Sequence, residues 1–284
     1  MKIAPLLVVF VMSLAVLSSC EKVVNEKLVA RPVKLVVSSF ISPSDDTVRV
    51  YLSWSSPFYG NRIIPPALST ASVTISDGTT SRNLSWFSRQ GIFVIPFNQF
   101  PIAVGKTYEL KVKTAEGVEA SASTTIPALP VSPKFERLQT RTTGPADNRV
   151  KTHVFRFSVT DPAGTPDYYR FDVYQRTNES VYDVVFMVGH KMVDDQLRDG
   201  TLVEEFMEYD ESLGNGAGFR QYMFDGYLLH VTPEYALFHQ SLDRNNISED
   251  NPFAEPALVY SNIKGGYGIF AGYSRSRISR TYSN

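Results

Sequence analysis

Apart from Cys20 the chain has no cysteine, so its folded part can form no disulfide and must draw its stability from packed cores. Net charge is also missing. Lys and Arg number 28 against 29 Asp and Glu, and no global field favours nucleic acid or an anionic membrane surface. Histidine is sparse: His153, His190, His230 and His239 stand far apart, without a metal spacing such as His-Glu-x-x-His. No Gly-x-Ser-x-Gly elbow, phosphate-cradling glycine loop or nucleophilic cysteine is visible. These absences leave no catalytic residue, cofactor or metal ligand to assign. A non-enzyme is expected, with a hydrolase assembled only on folding as the least favoured reading.

One apolar run begins behind Lys2, spans Ile3 to Val16 and leads into Leu17-Ser18-Ser19-Cys20. It is shorter than the roughly 20 residues a spanning helix needs, and Pro5 interrupts it. The pattern is that of a lipoprotein leader, with Cys20 as the acylated first residue of the mature protein. Residues 1–19 are then signal peptide and 20–31 a lipidated tether. The expected location is a membrane, held by lipid at Cys20, with the surface and periplasmic faces both open. Cleavage leaves 265 residues carrying 27 basic and 29 acidic side chains, enough for one large or two ordinary domains.

Abundant Tyr and Phe favour pleated, half-buried surfaces, and the chain reads as mainly β. In Thr47 to Trp54, Val48, Val50, Leu52 and Trp54 alternate with polar positions, which predicts a strand with one wet face. Similar runs at Lys34 to Ile41, Ala71 to Ser76, Thr80 to Phe87, Gly91 to Pro96, Thr107 to Lys113 and Gly117 to Thr125 make seven short strands. Such spacing predicts an immunoglobulin-like or fibronectin-III-like β-sandwich over 32–128, with an irregular β domain as the alternative. The prolines at 127, 130 and 133 place a linker at 129–133.

A β-rich C-terminal domain is expected over 134–284. Lys151 to Thr160 and Tyr168 to Arg176 alternate, Val181 to Val188 reads as a buried strand, and Phe219 to Val231 continues the sheet. Thr232 as N-cap, Pro233 as first helical residue and Glu234 near the positive end predict a helix near 233–246, with Tyr235, Phe238 and Leu242 on one face. Downstream, Asn251-Pro252 and Glu255-Pro256 stiffen a loop, Gly265-Gly266 allow positive φ or a close approach, and Tyr267 to Tyr273 resume a strand. Asn251, Pro252, Glu255, Asn262, Gly265, Gly266 and Tyr267 are candidate partner-facing or ligand-facing residues. The competing reading, that they close the second domain's core, is favoured.

The block Asn251-Pro252-Phe253-Ala254-Glu255-Pro256, then Val259-Tyr260-Ser261-Asn262-Ile263 and Gly265-Gly266-Tyr267-Gly268-Ile269-Phe270, together with Leu17-Ser18-Ser19-Cys20 and Thr124-Thr125-Ile126-Pro127, resembles the Bacteroidota lipoproteins grouped as domain of unknown function 4249. The resemblance implies an outer-membrane lipoprotein with an N-terminal immunoglobulin-like sandwich and a second β-rich domain, encoded beside TonB-dependent receptors. It brings no enzymatic activity. Glu21-Lys22-Val23-Val24 departs from the acidic run associated with surface export in that phylum.

Acid concentrates over 194–211, at Asp194, Asp195, Asp199, Glu204, Glu205, Glu208, Asp210 and Glu211. Oxygen-rich loops can hold Ca²⁺, but Leu197 breaks the EF-hand alternation and a solvated connecting segment is expected. Arg275, Arg277 and Arg280 read as a wet strand face rather than an anion-binding stripe. Asp46-Thr47-Val48 resembles a Bacteroidota O-glycosylation acceptor, which makes Thr47 a candidate modification site. Two functions fit: an accessory component of a TonB-dependent uptake system, or a free-standing adhesion or glycan-binding module whose aromatics stack on sugars.

Overall fold

The computed structural model describes residues 33–56, 67–145, 148–177, 184–214, 221–249 and 258–283. Cys20, Asn251, Pro252 and Glu255 fall outside them. The elements below belong to one compact unit, Val33–Ser55 with Ile64–Asn284.

The alternating segments of the first half become strands. β1 (Leu35–Ile41) pairs with β2 (Thr47–Trp54), β2 with β6 (Ile92–Pro96), and β6 with β5 (Ser85–Phe87). A second sheet runs β4 (Ser81–Asn83), β3 (Ser72–Ser76), β7 (Thr107–Lys113), β8 (Glu119–Thr125). The apolar sides of both, including Val37, Val50, Ile75, Leu110 and Val112, form one core. Lettered in chain order, the strands run A-B-E-D in one sheet and C′-C-F-G in the other, an immunoglobulin-like order. Tyr108 adds the tyrosine corner of such sandwiches: it is fully buried near the start of β7, and its hydroxyl accepts the Ala103 N–H (2.7 Å) and donates to the Pro101 carbonyl (3.4 Å). The segment Thr80 to Phe87, expected as one strand, is two. It changes sheets at Leu84, which is buried and gives its N–H to the Val73 carbonyl at 2.8 Å.

In the second half β9 (Val131–Thr143), β10 (Arg149–Thr160) and β13 (Leu202–Gly214) form a three-stranded sheet with β10 central. β11 (Tyr168–Thr177), β12 (Val184–Asp194), β14 (Gln221–Val231) and β15 (Tyr267–Ser283) belong to a larger one. Phe135, Phe155, Phe157, Phe171 and Phe224 fill the core of this half. Helix α1 (Pro233–Glu249) starts where the capping residues predict, with Thr232 Oγ1 accepting the Tyr235 N–H at 3.4 Å, and it runs past Asn246.

Three expectations need correction. The linker at 129–133 is shorter, because β9 starts at Val131. Pro133 is tolerated there because β9 is an edge strand whose ladder slips between Ser158 and Thr160, with Ser132 at φ 50°. The segment expected as a buried strand at Val181 to Val188 appears, among the described residues, as the edge strand β12, where Val185 and Met187 are exposed. Finally, β15 serves both halves: Val36 to Ile41 pair in parallel with Tyr267 to Gly272, and Val231 to Gln221 pair antiparallel with Tyr273 to Ser283. One eight-stranded sheet therefore runs through both halves, in the order β12-β11-β14-β15-β1-β2-β6-β5.

Candidate functional site

Strand periodicity sorts β11 into two faces. Phe171 and Val173 point into the Phe-rich core, which sends Arg170, Asp172 and Tyr174 to the opposite side. Register then builds rows across the sheet. Arg170 lies beside Leu229 and Leu229 beside Arg275, while Asp172 lies beside Tyr227 and Tyr227 beside Arg277. Tyr273 is two residues before Arg275 on the same face, and Phe40 comes in from β1. Helix α1 adds Tyr235 and His239, one turn apart. Tyr235 is 5.0 Å from the Phe40 ring, 4.5 Å from His239 and 6.0 Å from Tyr273. Between helix and sheet remains a cavity of about 380 Å³, lined by Arg170, Asp172, Tyr174, Tyr227, Leu229, Arg275, Tyr273, Phe40, Tyr235 and His239.

Its electrostatics follow from burial. Arg170 Nε donates to Asp172 Oδ1 at 2.7 Å, with both side chains about nine-tenths buried. Burial nonetheless pushes the Asp172 carboxyl above its ordinary range, against the pull of Arg170. Burial, and then the Arg170 charge, push His239 down to about 4, so its ring is neutral at pH 7. His239 Nε2 is buried and, among the described residues, has no hydrogen-bond partner. Burial likewise pushes Tyr235 up to about 12, and raises Tyr174 and Tyr273, so these hydroxyls stay protonated. At the rim Arg275 donates to the Ser44 carbonyl (3.3 Å), lies 3.5 Å from Asp45 and sits 5.5 Å from the Tyr227 ring centroid.

Among the described residues the lining holds no serine, threonine or cysteine. The arrangement offers groups for recognition. Tyr174, Tyr227, Tyr235 and Phe40 provide aromatic surface, His239 a single unpaired ring nitrogen, and Arg275 a cation at the edge. Arg275 thus lines a cavity wall and is more than part of a wet face, whereas Arg277 is bound to Asp225 at 3.0 Å.

Of the predicted C-terminal residues, the described ones make close backbone contacts. Asn262 turns its side chain onto the backbone of Phe270, donating to its carbonyl at 2.8 Å and accepting its N–H at 3.0 Å. Gly265 has φ +79° and a Cβ there would sit 2.3 Å from the Glu119 carbonyl oxygen. At Gly266 a Cβ would lie 2.5 Å from that of Leu35. Lys264 exchanges both backbone hydrogen bonds with Ser121. This segment therefore closes the first sandwich, joining β8 to β1, and does not close the second core. Gly265 and Tyr267 are exposed, and Lys34 Nζ lies 4.6 Å from the Tyr267 ring centroid.

Thr47 is half-buried at the start of β2, beside Pro96, and the preceding Asp46 pairs with Arg49 at 2.8 Å. Trp54 is partly buried against the first core, while Trp86 is 37% exposed and tilts over Phe93 at 5.1 Å. The acidic stretch is a solvated connection only between β12 and β13, over 196–201. From Leu202 it is strand β13, and its inward positions include Glu205, paired with Lys191 and Arg198, and Glu211, 3.3 Å from the buried His153. Charge density hid an alternation of Val203, Glu205, Met207, Tyr209 and Glu211.

The model of a family described as "Domain of unknown function (DUF4249)" matches residues 21–279. Nothing among curated proteins matches the chain. Among solved structures, a two-domain fibronectin type-III segment from chicken tenascin is 11% identical, covering 89% of this chain and 100% of that one, with a TM-score of 0.22. A cytokine receptor complex is 13% identical, with 69% and 82% covered and a TM-score of 0.21. A Salmonella alpha-2-macroglobulin mutant is 7% identical, with 89% and 15% covered and a TM-score of 0.22. Overlaps this weak carry no argument, and the sandwich assignment rests on strand order and Tyr108.

Proposed function

Because this chain belongs to the DUF4249 family, we propose that it is a non-catalytic lipoprotein of a Bacteroidota outer membrane, anchored through acylated Cys20 and acting as an accessory binding component of a TonB-dependent uptake system. The observation that carries this reading is the cavity between α1 and the long sheet. It is lined by aromatic rings together with the Arg170–Asp172 pair, His239 and Arg275, a surface on which a small molecule can both stack and hydrogen-bond. Aromatic walls and one rim cation suit a flat or ring-containing organic ligand of modest negative charge. The leader-like Ile3 to Val16 run and Leu17-Ser18-Ser19-Cys20 support the anchor.

A free-standing adhesion or glycan-binding module is the second reading, favoured by Trp86 and Phe87, both exposed on β5 at the end of the long sheet. Mass spectrometry of organic extracts from protein purified out of its own membrane separates the two. The cavity reading expects a small compound carried at near-stoichiometric amount and lost from Tyr235→Ala. Retention of glycans dependent on Trp86, with no compound dependent on Tyr235, would favour the module.

A further inference from the structure

Three carboxylates meet at one rim of the second half. Asp161 follows β10, Asp167 precedes β11 and Asp195 follows β12, so each comes from a different strand end. One carboxylate oxygen from each lies within 4.8 Å of the others, and the three residues are 3%, 8% and 2% exposed. Like charges this close and this buried are costly unless something offsets them.

The surroundings hold the group in place, with His230 paired to one of its members. Asp161 accepts the Tyr169 hydroxyl at 2.8 Å and the Gly200 N–H at 2.9 Å. Asp167 accepts from Thr165 Oγ1 at 3.2 Å and faces His230 Nε2 at 2.9 Å, while His230 Nδ1 donates to the Ala128 carbonyl. Arg198, three residues past Asp195, spends its guanidinium on Glu205 and the Glu204 carbonyl. Asp195 is different: its Oδ2 is buried and, among the described residues, has no hydrogen-bond partner. A buried carboxyl oxygen left in that state calls for a ligand.

We propose that Asp161, Asp167 and Asp195 bind one Ca²⁺ ion that clasps the loops 161–167 and 195–201 at the rim of the second half. All three donors are oxygens, which suits a hard cation. Three oxygens placed evenly round one Ca²⁺ at about 2.4 Å stand about 4.2 Å apart, inside the 4.8 Å within which these three lie. Tyr169, Gly200, Thr165 and His230 hold the carboxylates from outside, as second-layer partners do in metal sites. The loops already touch, through the Gly164 N–H to Asp199 (2.7 Å) and the Asp161 N–H to the Thr201 carbonyl (3.0 Å). They connect strands of the two sheets that enclose the Phe-rich core, so an ion here locks those sheets together.

The test is titration of CaCl₂ into the full-length chain, stripped with chelator in mild detergent, followed by calorimetry and thermal melting. Expected are one ion per chain and a Tm rise of about 5 °C at Ca²⁺ a hundredfold above Kd. Asp195→Asn should abolish both effects, while its metal-free form melts no lower than the metal-free wild type because one like charge is gone. Should that variant not fold, Tb³⁺ bound to the wild type should show tyrosine-sensitised emission that Ca²⁺ displaces and Tyr169→Phe weakens. No Ca²⁺ response up to about 10 mM, beyond the weakest extracellular Ca²⁺ modules, would overturn the proposal. So would a response surviving Asp195→Asn, Tb³⁺ emission indifferent to Tyr169→Phe, or an equal response to MgCl₂.

Discussion

The hydroxyl of Tyr273, on the last strand, donates to the carboxylate of Asp45, 228 residues earlier, at 2.8 and 3.0 Å from its two oxygens. The bond ties the β1–β2 turn to the sheet beside the cavity, where Arg275 also reaches Ser44 and Asp45. Tyr273→Phe should lower stability by about 1–2 kcal/mol, less than a fully buried charged bond because Asp45 keeps some contact with water. Urea melts of Tyr273→Phe, Asp45→Asn and the double variant check it: the two losses should not add.

His239 makes stability depend on pH. Its folded value, about 4, lies below its ordinary 6.5, so the folded state binds fewer protons than the unfolded chain between them. The associated stability is complete above pH 6.5 and is lost as pH falls toward 4. Water near the half-buried ring limits the effect to on the order of 1–2 kcal/mol. Asp45 and Asp172, raised by burial, act in the opposite sense, contributing stability at low pH that is lost as pH rises. The readout is therefore a difference: His239→Phe, which keeps a ring beside Phe40, should lose less stability than wild type between pH 7 and pH 4.

Gly226 on β14 lies under the ring of Phe135. A Cβ at that position would come within 2.3 Å of Phe135 Cγ and 2.6 Å of Cδ1. The ring cannot retreat, being fully buried with centroids 5.3 Å from Phe155 and 4.8 Å from Phe157. Gly226→Ala should cost about 1–3 kcal/mol by overpacking. Adding Phe135→Leu should make the pair less damaging than the sum of the single changes, as read by denaturant midpoints.

Anchoring is tested at Cys20. Cys20→Ala should remove labelling by a palmitate analogue and release the chain from the membrane fraction, leaving the melting temperature of the folded part unchanged because no other residue of the fold can form a disulfide.

The first sandwich was legible because alternation in its strands is local: Val48 and Val50 declare their face within a few residues. The same locality hid what depends on distant partners. Nothing in Tyr267 to Gly272 says that it pairs in parallel with β1, more than 200 residues away. β9 was missed because Pro133 and its exposed Arg and Thr residues resemble a linker, a composition an edge strand tolerates. Arg170, Asp172 and Tyr235 converge only through sheet register and helix placement, and the Asp161–Asp167–Asp195 group only through three strand ends. Dense charge over 194–211 was readable, but the separate burial of Asp195 was not.

The accessory role is tested most directly by purifying the C-terminally tagged chain from its own outer membrane in mild detergent and quantifying what accompanies it by mass spectrometry. The account predicts a TonB-dependent barrel at near-equal stoichiometry. Recovery of the chain alone, at full yield and still folded, would contradict it.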